Sequence, residues 1–101
     1  MMPIILLTPR EMQQKIGAQA RSKRLDLNLS QKTLSEKSGV SYGVIKKFER
    51  TGDIALHSLL KLAMALGTMA DFEALFAPTP PEKVLTLDEL MRDHSRKRGR
   101  K

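Results

Sequence analysis

The stretch that decides the fold is SQKTLSEKSGVSYGVIKKFER, residues 30–50. Its apolar residues form two separate stripes, because Gly39 interrupts the pattern between Leu34 and the later Ile45 and Phe48. Spacings of three and four residues are typical of one helix face, and glycine readily adopts the backbone conformation that ends a helix. The stretch therefore predicts two short helices joined by a tight turn, which is a helix-turn-helix.

The second of these helices has a polar side made of residue types that suit contact with DNA. With Ile45 and Phe48 facing inward, the other residues share the opposite face. Lysine can donate hydrogen bonds to guanine in the major groove, and an apolar side chain can contact a thymine methyl group. The face consists of Tyr42, Gly43, Lys46, Lys47 and Arg50, with Val44 placed for the methyl contact.

A helix is also predicted before this motif. Thr8, Pro9 and Glu11 form a helix-start signal, because a Thr cap, an N-terminal Pro and a Glu three residues after the cap stabilise the first turn. This helix should end near Asn28, after which Ser30 caps the second helix, as Ser41 caps the third. The apolar residues expected on the first helix are Met12, Ile16, Ala20 and Leu27.

Two further helices are predicted after the motif, which makes the fold all-α with five helices in the core. A strongly apolar fourth helix should cover residues 56–66, and a fifth should cover 69–76. The buried face of the fifth is expected to contain Phe72, Leu75 and Phe76. The methionines expected to fill core or interface positions are Met64, Met69 and Met91.

The composition changes after residue 76. The sequence APTPP at 77–81 cannot be helical and predicts a linker, whereas the capping box TLDE at 86–89 predicts a short final helix before a basic tail. The early apolar run at residues 3–7 either pairs as a short strand with a partner chain or packs against the helices. The predicted divisions are an N-terminal extension (1–8), a helix-turn-helix domain (9–76), a proline-rich linker (77–85), and a short helix with a disordered basic tail (86–101).

The charge of the chain is concentrated in two basic blocks. The formal net charge is +7, and residues 15–50 carry nine Lys or Arg against three acids. Residues 51–91 carry two against six, whereas residues 92–101 carry six against one. A solvated surface does not require this segregation, but a surface that faces a polyanion does. The charge pattern therefore favours nucleic acid as a partner.

Several function classes lack their usual residues in this sequence. There is no cysteine for a disulfide, a thiolate zinc site or a cysteine nucleophile, which fits a reducing cytoplasm. His57 and His94 are isolated, and the Ser and Thr residues have no adjacent base to activate them. The apolar run at residues 3–7 is too short to cross a bilayer. We expect a cytoplasmic protein without a metal, a cofactor, a catalytic residue or a membrane partner.

Across residues 21–76 the sequence resembles the lambda-repressor-like, XRE-type helix-turn-helix family. The resemblance is carried by Gln31 at the start of the second helix, by Gly39, by Val40 with Ser41, by Glu49 and by Leu66 with Gly67. It implies a five-helix DNA-binding domain in which Arg24 and Glu49 form a buried ion pair between the first and third helices. The residues that it implies for DNA contact, together with those of the polar face, are Gln31, Lys32, Ser41, Tyr42, Gly43, Val44, Lys46, Lys47 and Arg50.

A narrower resemblance covers FERTGDIALHSLLKLAMALG, DFEALF and the basic tail, which are similar to HipB-like antitoxins encoded beside HipA-type kinase toxins. It implies a homodimeric repressor that binds a palindromic operator, represses its own operon and binds a HipA-like kinase. Two alternatives stay open from the sequence: a stand-alone transcriptional regulator, and an interaction module that does not read DNA. An RNA-binding role is disfavoured, because Tyr42 is the only exposed aromatic residue expected for base stacking.

Overall fold

The computed structural model describes residues 6–78 and folds them into helices that surround a small apolar core, with no β-strand in that part of the chain. The predicted all-α class is confirmed. The elements are α1 (Pro9–Asp26), α2 (Gln31–Ser38), α3 (Tyr42–Thr51), α4 (Leu56–Leu66) and α5 (Met69–Glu73).

The start of each of the first three helices is fixed by the predicted side chain. Thr8 and Glu11 form a reciprocal capping box, with both hydrogen bonds 3.0 Å long. The hydroxyl of Ser30 accepts the backbone N–H of Thr33, and the hydroxyl of Ser41 accepts that of Val44. Each cap satisfies a backbone donor that has no partner inside its helix. The boundaries of α1, α2 and α3 therefore follow from local chemistry.

The core lies where α2 and α3 meet α4. Phe48 and Ile45 of α3 are completely buried, which confirms the inward face predicted for this helix. Gly39 ends α2 with a left-handed backbone, at a φ of +79°, and leads directly to buried Val40. The hydroxyl of Ser35 donates a 2.6 Å hydrogen bond to the Val40 carbonyl and so ties α2 to the turn. The buried core cluster is Leu34, Val40, Ile45, Phe48, Leu62 and Leu66.

Helix α1 crosses the end of α3 at a distance that only glycine permits. A Cβ atom added to Gly17 would lie 2.5 Å from the carbonyl oxygen of Phe48. A Cβ atom added to Gly52 would lie 2.2 Å from the carbonyl oxygen of Gln13, and Gly52 has a φ of +83°. These distances are below any normal contact, so the backbones of α1 and α3 touch directly. The crossing fixes the position of α3 relative to the rest of the fold.

The predicted burial of the fifth helix is wrong. Helix α5 ends at Glu73, and a turn follows in which Phe76 has a φ of +61°. Phe72 is half-buried, but Leu75 is 56% exposed and Phe76 is 96% exposed. Both side chains therefore lie in the turn, beyond the helix whose periodicity was expected to bury them. The helical periodicity expected for residues 69–76 therefore does not continue to its end.

Other apolar residues, predicted to lie on the apolar faces of their helices or to fill core or interface positions, also lie at the surface. Leu27 is the cap residue after α1 and points outward, since Leu29 provides the contact with the core instead. Met12 is at the solvent-facing start of α1, and Met64 is on the outer side of α4. Met69 opens α5 and is also exposed. Each of these positions lies beyond the arc of its helix that faces the core.

Parts of the predicted architecture lie outside the described residues. They are residues 1–5, most of the predicted linker, the predicted short helix with Met91, and the basic tail. Leu6 and Leu7 are described; Leu6 is exposed and no regular element includes it. Within residues 6–78, no helix has the length and hydrophobicity needed to span a bilayer.

Candidate nucleic-acid interface

The polar face of α3 is open to solvent along its whole length. Tyr42, Lys46 and Arg50 are exposed at successive turns, and Lys47 has 59% of its side chain exposed. A Cβ atom added to Gly43 would meet no atom within 4 Å, so the backbone there is free for close approach by a ligand. The inward pair Ile45 and Phe48 anchors the other side of the helix. Helix α3 therefore presents its basic side outward on a rigid base.

Lys46 and Tyr42 are arranged together on this face. The Nζ atom of Lys46 lies 5.1 Å from the centre of the Tyr42 ring, within the range of a cation–π contact. A lysine side chain normally samples many rotamers, and the ring restricts that freedom. The ammonium group is therefore held near the start of α3, one turn before its own Cα atom.

Lys47 and Val44 lie toward the loop that joins α3 to α4. The Nζ atom of Lys47 is 3.4 Å from a carboxylate oxygen of Asp53, and both side chains are more than half exposed. Exposed ion pairs of this kind contribute little to stability, so Lys47 can leave Asp53 for another anion. Val44 borders a shallow depression of about 390 Å³, together with Ile54 and Ser58 of the same region. Lys47 and Val44 therefore flank the exposed polar face of α3 and do not form its centre.

Arg24 of α1 and Glu49 of α3 form a buried bidentate ion pair. The guanidinium of Arg24 donates two hydrogen bonds to the Glu49 carboxylate, at 2.7 Å from Nε and 2.9 Å from Nη2. Its Nη1 atom donates to the carbonyl oxygen of Leu29, at 2.8 Å. The side chains of Arg24 and Glu49 are only 7% and 4% exposed. The hydrogen bonds to Glu49 raise the pKa of Arg24 above its ordinary value, so the guanidinium remains charged.

Gln31 belongs to the same network. Its side-chain amide donates a 2.9 Å hydrogen bond to Oε1 of Glu49, and the residue is half-buried. The family resemblance implied that Gln31 contacts DNA at the edge of the groove. In the structure one amide hydrogen is held by Glu49, which leaves the second hydrogen and the amide oxygen for an outside contact. Glu49 therefore orients Gln31 as well as pairing with Arg24.

The remaining predicted contact residues lie at the starts of α2 and α3. Lys32 is exposed next to Gln31, and Ser41 is exposed at the N-terminal end of α3. The hydroxyl of Ser41 is already used as a helix cap. Gln31 and Lys32 thus lie at the start of α2 and Ser41 lies at the start of α3, and the unpaired backbone N–H groups of a helix start favour anions.

Some features of this surface were missed by the sequence reasoning. Asp53 was assigned only to a loop, although it contacts Lys47. The roles of Gly17 and Gly52 in the α1–α3 crossing were also missed. An isolated glycine inside a helical pattern often marks a close backbone approach, so Gly17 carried a usable signal. No sequence signal pointed to the Leu29 carbonyl as the third partner of Arg24.

Comparison with known proteins is consistent with this geometry. A sequence model of the helix-turn-helix family matches residues 21–71, about half of the chain. The chain belongs to this family. The match supports the resemblance to lambda-repressor-like, XRE-type domains, and it assigns the protein to a family of DNA-binding regulators of transcription. No curated protein gives a significant match to the chain.

Within this helix-turn-helix protein the matched region begins inside α1, close to Arg24, and ends inside α5. It therefore contains both partners of the buried ion pair and the whole polar face of α3. Double-stranded DNA is the partner that the family implies. The basic, solvent-exposed side of α3 is the part of the described chain that suits it.

Proposed function

We propose that the protein is a sequence-specific transcriptional repressor that binds a palindromic operator as a homodimer, with one α3 helix in the major groove of each half-site. The observation that carries this proposal is the exposed basic face of α3, fixed from behind by buried Ile45 and Phe48. Major-groove reading by a helix needs donors that reach base edges and a backbone that approaches the groove. Lys46 and Gly43 supply these two properties.

The roles proposed for individual residues follow from their positions. Tyr42, Gly43 and Lys46 face bases, and Val44 contacts a thymine methyl group at one side. Lys47 leaves Asp53 to contact a base or a phosphate, and Arg50 contacts the backbone at the far end of α3. Gln31 and Lys32 contact phosphates at the start of α2, and Ser41 contacts a phosphate at the start of α3.

The outer side of α4 supports the dimer. Leu56 and Met64 are 64% and 70% exposed, and Leu60 lies between them at a spacing of four residues on the same helix face. A contiguous apolar stripe on a small protein is a common mark of a protein–protein contact. A second copy of the chain is the proposed partner, because a palindromic site requires two recognition helices related by a twofold axis. Sedimentation of the purified protein at several concentrations measures this directly.

The decisive test compares DNA binding of Lys46→Ala with that of the wild-type protein on the operon's own promoter and on random DNA. Loss of a base contact is expected to weaken cognate binding by about 1–3 kcal/mol and to relax selectivity at one position. Lys61→Ala is the matched control, because Lys61 is an exposed lysine on α4 rather than on α3. Equal weakening on cognate and random DNA would show that Lys46 contacts phosphate. Failure of the wild-type protein to distinguish the two DNAs would favour an interaction module that does not read sequence.

We further propose that this repressor is the antitoxin-type component of a toxin–antitoxin operon and binds a HipA-like kinase toxin. The support is the sequence likeness of residues 48–67 and 71–76, together with the basic tail, to HipB-like antitoxins. Co-purification with the product of an adjacent kinase-like reading frame tests this step separately from DNA binding. A repressor that binds its promoter but forms no complex with such a kinase is a stand-alone regulator.

The basic tail, residues 92–101, is proposed to act as an electrostatic arm on DNA. It carries six Lys or Arg and one acid, and has no aromatic residue. Each phosphate contact changes the slope of log affinity against log salt by about 0.9. Deleting the tail should therefore weaken cognate and random DNA to similar degrees and flatten the salt dependence. An unchanged slope would instead favour contact between the tail and the kinase.

A further inference from the structure

A groove of about 670 Å³ separates α1 from α4 and α5. Its floor is apolar and includes buried Leu62 and Ala63 of α4. Its walls combine apolar residues with polar and charged ones, and α1 and α4 do not close over them. The half-buried wall residues are Ile16, Ala20, Leu59 and Phe72.

The groove has neither the position nor the chemistry of the DNA-contact surface. None of its lining residues belongs to α2 or α3. Among residues 6–78, every buried side-chain nitrogen or oxygen already has a hydrogen-bond partner. Specific binding of a polar small molecule normally uses a few convergent polar groups, which this floor does not offer. The surface is therefore suited to apolar side chains.

We propose that residues 82–91 of the same chain occupy this groove. The described chain ends at residue 78, only six residues after Phe72, which lines the groove. Beyond Pro78, the four residues to Glu82 can extend up to roughly 14 Å. The part of α1 that lines the groove, from Lys15 to Asp26, rises only about 16 Å. A ten-residue helix rises about 15 Å, so residues 82–91 are long enough to lie along the groove once the chain enters it beside Phe72.

The chemistry of residues 82–91 matches the groove. The helix predicted from the capping box at 86–89 places Leu87, Leu90 and Met91 on one face, since helix neighbours are three and four residues apart. Those side chains fit the exposed apolar walls. Asp88 lies about 100° around the same predicted helix from Leu87, at the margin of this face, where it can approach Lys15 or Lys23 at the border of the groove.

Acidic residues also line the groove, and the segment has basic residues to match them. Asp26 of α1 and Asp71 of α5 are at its border. Lys83 lies near the start of the segment, and Arg92 directly follows it. Both signs of charge in the groove therefore have a counterpart of opposite sign. Residues 1–5 offer no such match, because they contain no charged side chain.

The proposal goes beyond DNA recognition and is tested without DNA. The chain contains no cysteine, so a Ser95→Cys variant of the full-length protein accepts a single nitroxide spin label. If residues 82–91 dock in the groove, the label should broaden the methyl NMR signals of Ile16, Ala20 and Leu59. The methyl signals of Val44 on α3 serve as the internal reference. Leu87→Asn/Leu90→Asn in the labelled protein should abolish the broadening, whereas the matched control Thr79→Asn, outside the segment, should leave it unchanged.

A mixing experiment shows whether the segment in the groove comes from the same chain or from a second copy. Spin-labelled protein without isotopes is combined with isotope-labelled protein that has no spin label. The expected result is that the groove signals broaden when the spin label and the isotopes are on the same chain. They should not broaden in the mixture, where the two labels are on different chains. Broadening that occurs mainly in the mixture would overturn the proposal and identify residues 82–91 of a second copy as the occupant. Equal, weak broadening of the groove and Val44 signals would overturn docking altogether.

Discussion

The crossing of α1 with α3 and the edge formed by α4 and α5 differ in how much of their surface is buried by contacts within the domain. At the crossing, two glycines bring backbones into contact, and Arg24 has all of its hydrogen bonds to Glu49 and Leu29 at 2.9 Å or less. At the edge, Met64 and Phe76 are mostly exposed. Helix α3 is therefore held rigidly at its crossing with α1, while the edge formed by α4 and α5 retains apolar surface for further contacts.

The largest effect is expected from Gly52→Ala, which should lower the free energy of unfolding by about 5 kcal/mol. Alanine at a φ of +83° is strained, and its Cβ atom would lie 2.2 Å from the Gln13 carbonyl oxygen. Urea denaturation measures the loss. Gly39→Ala is the matched control: its φ is +79°, but there is no atom within 4 Å, so the loss should be only about 1–2 kcal/mol. Equal losses in the two variants would show that the crossing is not tight.

Glu49→Ala should destabilise the protein by about 3–5 kcal/mol, because it leaves the buried charge of Arg24 without its partner. It also removes the acceptor for the Gln31 amide. Thermal melts measure the effect. Glu36→Ala on α2 is the control, since Glu36 is exposed and its loss should change stability by no more than about 0.5 kcal/mol. An unchanged melting temperature for Glu49→Ala would contradict the structural role of the ion pair.

Gly17→Ala is expected to destabilise by about 1–3 kcal/mol, although alanine is ordinarily the better helix former. The reason is the 2.5 Å separation between the added Cβ atom and the Phe48 carbonyl oxygen. Gly43→Ala, in the open part of α3, should instead be neutral or stabilise by up to about 1 kcal/mol. Chemical denaturation measures the change in the free energy of unfolding for both variants. Changes of opposite sign from the same Gly→Ala substitution would confirm the close crossing. Stabilisation by both substitutions would refute it.

The smallest effect is expected at the edge. Phe76→Ser should change the stability of dilute protein by no more than about 0.5 kcal/mol, because the Phe76 side chain is 96% exposed. Phe48→Ala, the contrasting core change, should cost about 3–5 kcal/mol. Denaturation is measured at low and at high protein concentration, so that the stability loss of Phe76→Ser can be compared between them. A loss for Phe76→Ser that grows with concentration would show that a second copy covers this residue.

The sequence was sufficient to predict the first four helices because their boundaries depend on neighbouring residues. Thr8, Ser30, Ser41 and Gly39 act within a few residues of their own positions, and all four do so as expected. The inward face of α3 was equally clear from Ile45 and Phe48. The exposed face of α3 follows from that arrangement, and hence most of the candidate DNA-contact residues are accessible as predicted.

The errors lie where burial depends on a distant part of the chain. Leu75 and Phe76 have an apolar pattern, but α5 ends at Glu73 and both residues are exposed in the turn that follows it. The contact of Lys46 with Tyr42 and that of Lys47 with Asp53 depend on side-chain rotamers, which no residue pattern specifies. The direct backbone contact at Gly52 joins residues almost forty positions apart, a relation that needs three-dimensional packing to be seen.

The crossing also determines how small an autonomous version of this domain can be. The region shared with the family begins at residue 21, but Gln13 and Gly17 lie before it and contact the end of α3. A fragment cut at residue 21 would keep Arg24 and lose the surface on which α3 rests. Transplanting the DNA-reading part into another protein would therefore require α1 from its Thr8 cap onward, so the independently folding unit is larger than the recognisable motif.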